Sequence, residues 1–237
     1  MSGDPSGRDG GADPAGPPHL TLAPGADVTF EHEDRRSRFV CTLRRVEDEA
    51  AARALLAELR SAHHAARHHC SAFVLGPRRA LTRSNDDGEP SGTAGAPMLQ
   101  TLMGCTPLGA DGLVVTDVAA VVVRWFGGVL LGAGGLVRAY SAATDGALAA
   151  ATWVRREPRS VLRVRLPHAV AGRAEHELRT LDVAVRTGEY GPAGVAVELA
   201  VPRDGPAEAA LEGWLRRHRL TAEDGGIEWV DVPLRRG

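Results

Sequence analysis

The run from Asp86 to Pro97 restricts the fold of this chain more than any other stretch. Asp86, Asp87 and Glu89 place three carboxylates within four residues, and Gly88, Pro90, Gly92, Gly95 and Pro97 follow among Ser91, Thr93, Ala94 and Ala96. Proline removes a backbone donor, and glycine is a poor residue for the middle of a helix or strand. The segment therefore cannot be a core strand or a helix interior; it is a shaped loop that holds acids against a sharply turning backbone. A second run follows about thirty residues later: Arg124, Trp125, Phe126, Gly127 and Gly128, continuing through Gly132, Gly134 and Gly135 to Arg138 and Tyr140. Two long, glycine-rich polar segments of this kind suggest one shared surface site.

The bulk of the chain sets limits around that site. With 237 residues and 43% hydrophobic content, it has room for one large domain or two small ones. No apolar run reaches the roughly 18 residues needed to span a bilayer, and the amino terminus lacks the apolar core of a secretory signal. Cys41, Cys70 and Cys105 are sparse, odd in number and without a CxxC pair, which fits a reducing cytosol. Every basic residue is arginine, as GC-rich codon usage would produce, so arginine over lysine is not read as a chemical choice. A net charge of -2 gives no global attraction to nucleic acid, so any such surface has to be a local patch.

Residues 1–18 are Gly, Pro, Asp and Ser with almost no large apolar side chain, the composition of a disordered tail. A first domain is expected over 19–154. Within it, 38–46 alternates as a strand with Phe39, Cys41 and Leu43 on one face. Residues 47–64 form a helix that opens on three acids and repeats Leu55, Leu59 and Ala62. Strands are expected at 70–75 and 114–126, the latter buried on both faces through its β-branched run. Helices are expected at 93–103, with Thr93 a candidate cap, and at 135–151. The charged, proline-containing residues 155–159 read as a linker. A second domain over 159–233 then runs strand 160–167, helix 169–181, strands 182–189 and 194–202, helix 205–219 and strand 226–232, the split β-α-β-β-α-β order.

Several groups carry possible chemistry. For Asp86, Asp87 and Glu89, the spacing leaves three readings open: a structural turn, a contact with a partner, and Mg²⁺ held by hard oxygen ligands. Gly127, Gly128, Gly132, Gly134 and Gly135 lead from a buried strand into a helix. Their free amides, flanked by Arg124 and Arg138, suit phosphate as well as they suit close packing. No GKS, GKT or GxGxxG motif is present. His63, His64, His68 and His69 precede Cys70. Zinc held by His64 and His68, thiol chemistry at Cys70, and a half-buried strand entrance are all compatible with that spacing. In the second domain Arg163 and Arg165 share one strand face, and Arg186 joins it. This makes the open face of the sheet arginine-bearing, though without the stacking aromatics of an RRM.

The stretches 66–73, 86–97 and 124–140 together resemble the YigZ/IMPACT family, a resemblance that covers roughly residues 35–150. It assigns His68, Cys70, Asp86, Asp87, Gly88, Glu89, Pro90, Gly92, Thr93, Gly95, Trp125, Phe126 and Tyr140 to the family's motif surface. Trp125 stands where the family usually has Tyr, so any role for that hydroxyl is lost here. The resemblance implies an α+β protein: a domain like the second domain of ribosomal protein S5, then a ferredoxin-like domain. It also implies a cytoplasmic role in translational control. The function expected is a non-catalytic regulator that binds RNA or a ribosome or translation-factor surface, with no resident cofactor, no membrane and no DNA specificity. The alternatives are a Mg²⁺-dependent phosphoester hydrolase built on the acidic loop and a protein-docking module.

Overall fold

The structure, a computed structural model, describes residues 15–203 and 205–234. In chain order its elements are β1 (His19–Leu22), β2 (Val28–Asp34), β3 (Ser37–Arg45), α1 (Glu49–Ala62), β4 (His68–Leu75), β5 (Leu81–Asn85), α2 (Gly95–Gly104), β6 (Val118–Trp125), α3 (Gly132–Ala150), β7 (Trp153–Leu166), α4 (His168–Arg179), β8 (Ala184–Gly191), β9 (Gly194–Pro202), α5 (Pro206–His218) and β10 (Ala222–Pro233). This is a mixed α+β chain with antiparallel sheets. Among the described residues, one compact unit takes in 18–156 and 231–234, and the other takes in 15–17 and 157–230. The tail expected over 1–18 falls mainly outside the described residues.

The first unit is built on a sheet ordered β2-β3-β6-β4-β5. Its central strand β6 is buried along both faces, as its β-branched run requires. Val118, Ala120 and Val122 join Phe39, Cys41, Leu43, Cys70 and Tyr140 in one core. Ala119, Val121 and Val123 join Leu55, Leu59 and Phe73 in another. Each fully buried Leu, Val or Phe contributes roughly 1.5–3 kcal/mol. Helix α1 starts where Asp48 accepts a hydrogen bond from Ala51 N at 2.7 Å. Leu55 and Leu59 are buried, whereas Ala62, expected on the same face, is exposed in the last turn. Because α1 ends at Ala62 and β4 begins at His68, His64 and His68 do not lie one helical turn apart.

Strands β2 and β3 are joined by Arg35 and Arg36 alone, with Asp34 paired to Ser37. Both arginines adopt left-handed backbone, at φ 45° and 65°. A two-residue hairpin turn needs that conformation, which Asn and Gly adopt readily and which costs other residues roughly 1–2 kcal/mol each.

The expected linker at 155–159 lies inside β7 instead. Arg155 and Arg156 pair with Leu20 and His19 of β1, and Arg159 pairs with Pro202 of β9. Pro158 falls between those two ladders, where its missing N–H interrupts neither. In the second unit β9 lies between β7 and β8, and β10 pairs with β7. Val164, Leu166, Leu178, Val183, Val195, Val197, Leu199, Leu211 and Trp214 form its core. The expected elements are present, but β10 begins earlier, at Ala222. Among the described residues no helix is long and apolar enough to cross a membrane.

Candidate functional site

The acidic loop is fixed by its own carboxylates. Asp86 Oδ1 accepts from Ala94 N at 3.0 Å and Gly95 N at 2.8 Å, and Oδ2 accepts from Gly92 N at 2.8 Å. Asp86 thereby caps α2 across the loop, a role expected of Thr93. The Thr93 hydroxyl donates to Pro90 O at 2.6 Å instead. Burial pushes the Asp86 carboxyl up, but the three backbone donors outweigh it and hold the group below the ordinary carboxylate range. Gly95 is obligatory here, since a Cβ at that position would lie 2.7 Å from Asn85 N. Asp87, at φ 46°, reverses the chain. Its carboxylate accepts from Arg60 at 2.5 Å and from His69 N at 2.6 Å. Its carbonyl lies 2.8 Å from His68 Nδ1; a carbonyl only accepts, so that nitrogen carries the proton.

Glu89 joins the two motif segments. Its Oε1 accepts from Arg124 Nη1 at 2.5 Å and from Tyr140 Oη at 2.8 Å, with His68 Nε2 at 3.9 Å. Cys70 Sγ lies 3.3 Å from Tyr140 Oη and 3.0 Å from Asp86 O, two acceptors for a thiol that has one S–H to donate. Burial pushes the Cys70 thiol up to about 12. Burial, then the neighbouring Cys70 and Glu89, push the Tyr140 hydroxyl well above its ordinary value. The thiol is therefore neutral at ordinary pH and is not an activated nucleophile.

The expected convergence of the two runs is thus present, but its centre is interior. Arg124 is 5% exposed, Glu89 8% and Tyr140 0%. Arg124 does not stand at the surface position expected of it: its charge is matched by Glu89, and its guanidinium lies over both the Phe39 and the Phe126 ring. The three acids, Asp86, Asp87 and Glu89, each turn to different partners. Among the described residues no group of three or more His, Cys, Asp or Glu side chains is placed to hold a metal ion. Gly88, Pro90, Gly92, Gly128, Gly132, Gly134 and Arg138 are exposed, whereas Gly135 is buried. Trp125 is half-buried, with Arg38 over its ring at 4.6 Å and the His63 ring at 5.4 Å.

On the second unit Arg163, Arg165 and Arg186 are exposed, as the alternation of their strands implied. They line a concavity of about 390 Å³ with Thr187, Gly188 and Glu198. Arg163 donates to Glu198 at 3.2 Å, and Arg186 reaches both Glu198 and Glu228. Arg165 has no acidic partner among the described residues. Sequence reasoning missed Arg60, Asn85 and Phe39 as supports of the site. It also missed Arg35 and Arg36, whose signal was a charged pair in a two-residue turn position.

The family model of the Impact N-terminal domain matches residues 35–148. The chain is 40% identical over 162 residues to IMPACT family member YvyE of Bacillus subtilis (strain 168), covering 68% of this chain and 71% of that one. It is 37% identical over 189 residues to IMPACT family member YigZ of Escherichia coli (strain K12), covering 79% and 88%. A crystal structure of a hypothetical protein superposes with a TM-score of 0.56 at 34% identity, over 89% of this chain and 98% of that one.

Proposed function

The chain belongs to the IMPACT family, and we propose that it is a cytosolic, translation-associated regulator that acts by binding RNA or a ribosomal surface rather than by catalysis. The observation that carries this is the arginine-lined concavity of Arg163, Arg165 and Arg186. Guanidinium groups spaced along an open sheet face suit a row of phosphates, and Arg165 is free of any acidic competitor among the described residues. The acids, thiol and phenol of the motif centre support the non-catalytic part. They are turned toward one another and toward the backbone, an arrangement that rigidifies a loop. Exposed Arg138, beside the glycines that open α3, adds a second anion contact. Strand β7 through β10, in β-α-β-β-α-β order, fits the ferredoxin-like type, and the preceding unit is taken as S5 domain 2-like.

Co-sedimentation with ribosomes across a salt series tests this. Phosphate contacts release counterions, so the bound fraction should fall steeply as salt rises, and Arg163→Ala/Arg165→Ala/Arg186→Ala should flatten the dependence. Salt-independent sedimentation, or none at low salt, removes the proposal.

A further inference from the structure

Phe126 is the exposed one of two rings that meet the Arg124 guanidinium. The Arg124 guanidinium carbon lies 5.3 Å from the centroid of the Phe39 ring and 5.7 Å from that of Phe126. Phe39 is fully buried, but Phe126 is 41% exposed. The ring therefore rests on a fixed cation on one side and is open to solvent over much of the rest. Its neighbour Gly127 is pressed against the β2–β3 turn: Gly127 N donates to Ser37 Oγ at 3.2 Å, and a Cβ there would meet Arg36 C at 2.1 Å. That turn holds Arg35 and Arg36 beside the base of Phe126. Both are exposed, and neither has an acidic partner among the described residues. Arg38, next along the strand, differs, since Glu31 accepts from its Nε at 2.9 Å. Two uncommitted guanidinium groups therefore occupy left-handed positions that glycine or asparagine would fill with less strain.

A half-open aromatic ring next to unpaired arginines matches single-stranded nucleic acid, whose bases offer free π faces and whose backbone offers phosphates. A duplex keeps those faces stacked away. We propose that Phe126 stacks a base of a single-stranded nucleic acid whose phosphates are held by Arg35 and Arg36. This rests on the nucleic-acid reading above but puts a separate contact on the first unit, distinct from the arginine sheet face.

The test is fluorescence anisotropy of the full chain with labelled oligo-U and oligo-A of roughly 12 nucleotides, as RNA and as DNA, across a salt series. Phe126→Ala and Phe126→Leu should weaken binding about tenfold, while Phe126→Tyr, which keeps the ring, should bind like wild type. Arg35→Ala/Arg36→Ala should lower the slope of log affinity against log salt by about 1.4. Binding of either sugar supports the shared base and phosphate chemistry; a preference for RNA adds a 2′-hydroxyl contact. Wild-type affinity in Phe126→Leu, an unchanged slope in the arginine variant, or no oligonucleotide binding by wild type overturns the inference. If ribosome co-sedimentation persists in that event, only this contact is lost; if both fail, the proposed function falls too.

Discussion

Glu89 and Arg124, 35 residues apart in sequence, close on each other at 2.5 Å in the interior of the first unit. Neither charge is accessible enough to be re-solvated if its partner is removed. The pair therefore acts as a clasp between the acidic loop and the end of β6.

Removing one half of a buried pair leaves the other desolvated, a penalty of about 3–5 kcal/mol. Arg124→Met should destabilise the protein by that order in urea unfolding, and Glu89→Gln by less, since the amide oxygen still accepts from Tyr140. The double variant Arg124→Met/Glu89→Gln should fall well short of the sum of the singles. Additive losses would mean that the two side chains do not support each other.

Asp86 should behave as the cap of α2. Asp86→Ala should lose about 1–2 kcal/mol, and Asp86→Asn less, because it keeps one acceptor oxygen. The folded carboxyl titrates below its unfolded counterpart, so its contribution is complete above about pH 3.9 and disappears as pH falls through the folded value. Denaturation curves of wild type and Asp86→Ala should therefore converge under acid conditions and separate above them.

Cys70 should resist iodoacetamide at about pH 8 while the protein is folded, and react once urea opens the core. Half-buried Cys105 should be modified first, as read by peptide mass spectrometry. The Cys70 thiol titrates higher folded than unfolded. Its contribution to stability is therefore complete below the ordinary thiol value and is lost as pH rises toward about 12. Rapid labelling of native Cys70 would mean that its sulfur is open to solvent.

Gly127→Ala places a methyl group 2.1 Å from a backbone atom of Arg36, which cannot rotate away as a side chain end would. A loss of about 1–3 kcal/mol is expected in thermal unfolding. Gly128→Ala makes a useful comparison: nothing lies within 4 Å of its added Cβ, but its φ of 86° still strains any side chain. If Gly127→Ala proves the milder of the two, the close approach to Arg36 is wrong.

The two-faced burial of β6, the leucine repeat of α1 and the alternation of β7 were legible because each follows from a period of 2 or 3.6 over many residues. The element order of the second unit was legible for the same reason. Strand β1 was not: four residues carry too little pattern, and their burial depends on pairing with β7 more than a hundred residues away. Strand β2 alternates few apolar side chains, and β5 is largely exposed, so neither stands out from loop sequence. At the site, composition marked the right residues but not their direction. Asp86 and Glu89 look alike in the sequence. Only tertiary placement sends one to backbone amides at a helix start and the other to a buried arginine. Arg124 reads as a surface cation in the sequence because nothing local announces the glutamate that meets it.

Arg35 and Arg36 make the shortest connection in the first sheet, and the diglycine segment leans directly on it. The tip of that hairpin therefore acts as a spacer: lengthening it by a single residue would shift the register against which Gly127 is seated. A longer tip would also carry Ser37 away from Gly127, whose N–H it accepts from ninety residues downstream.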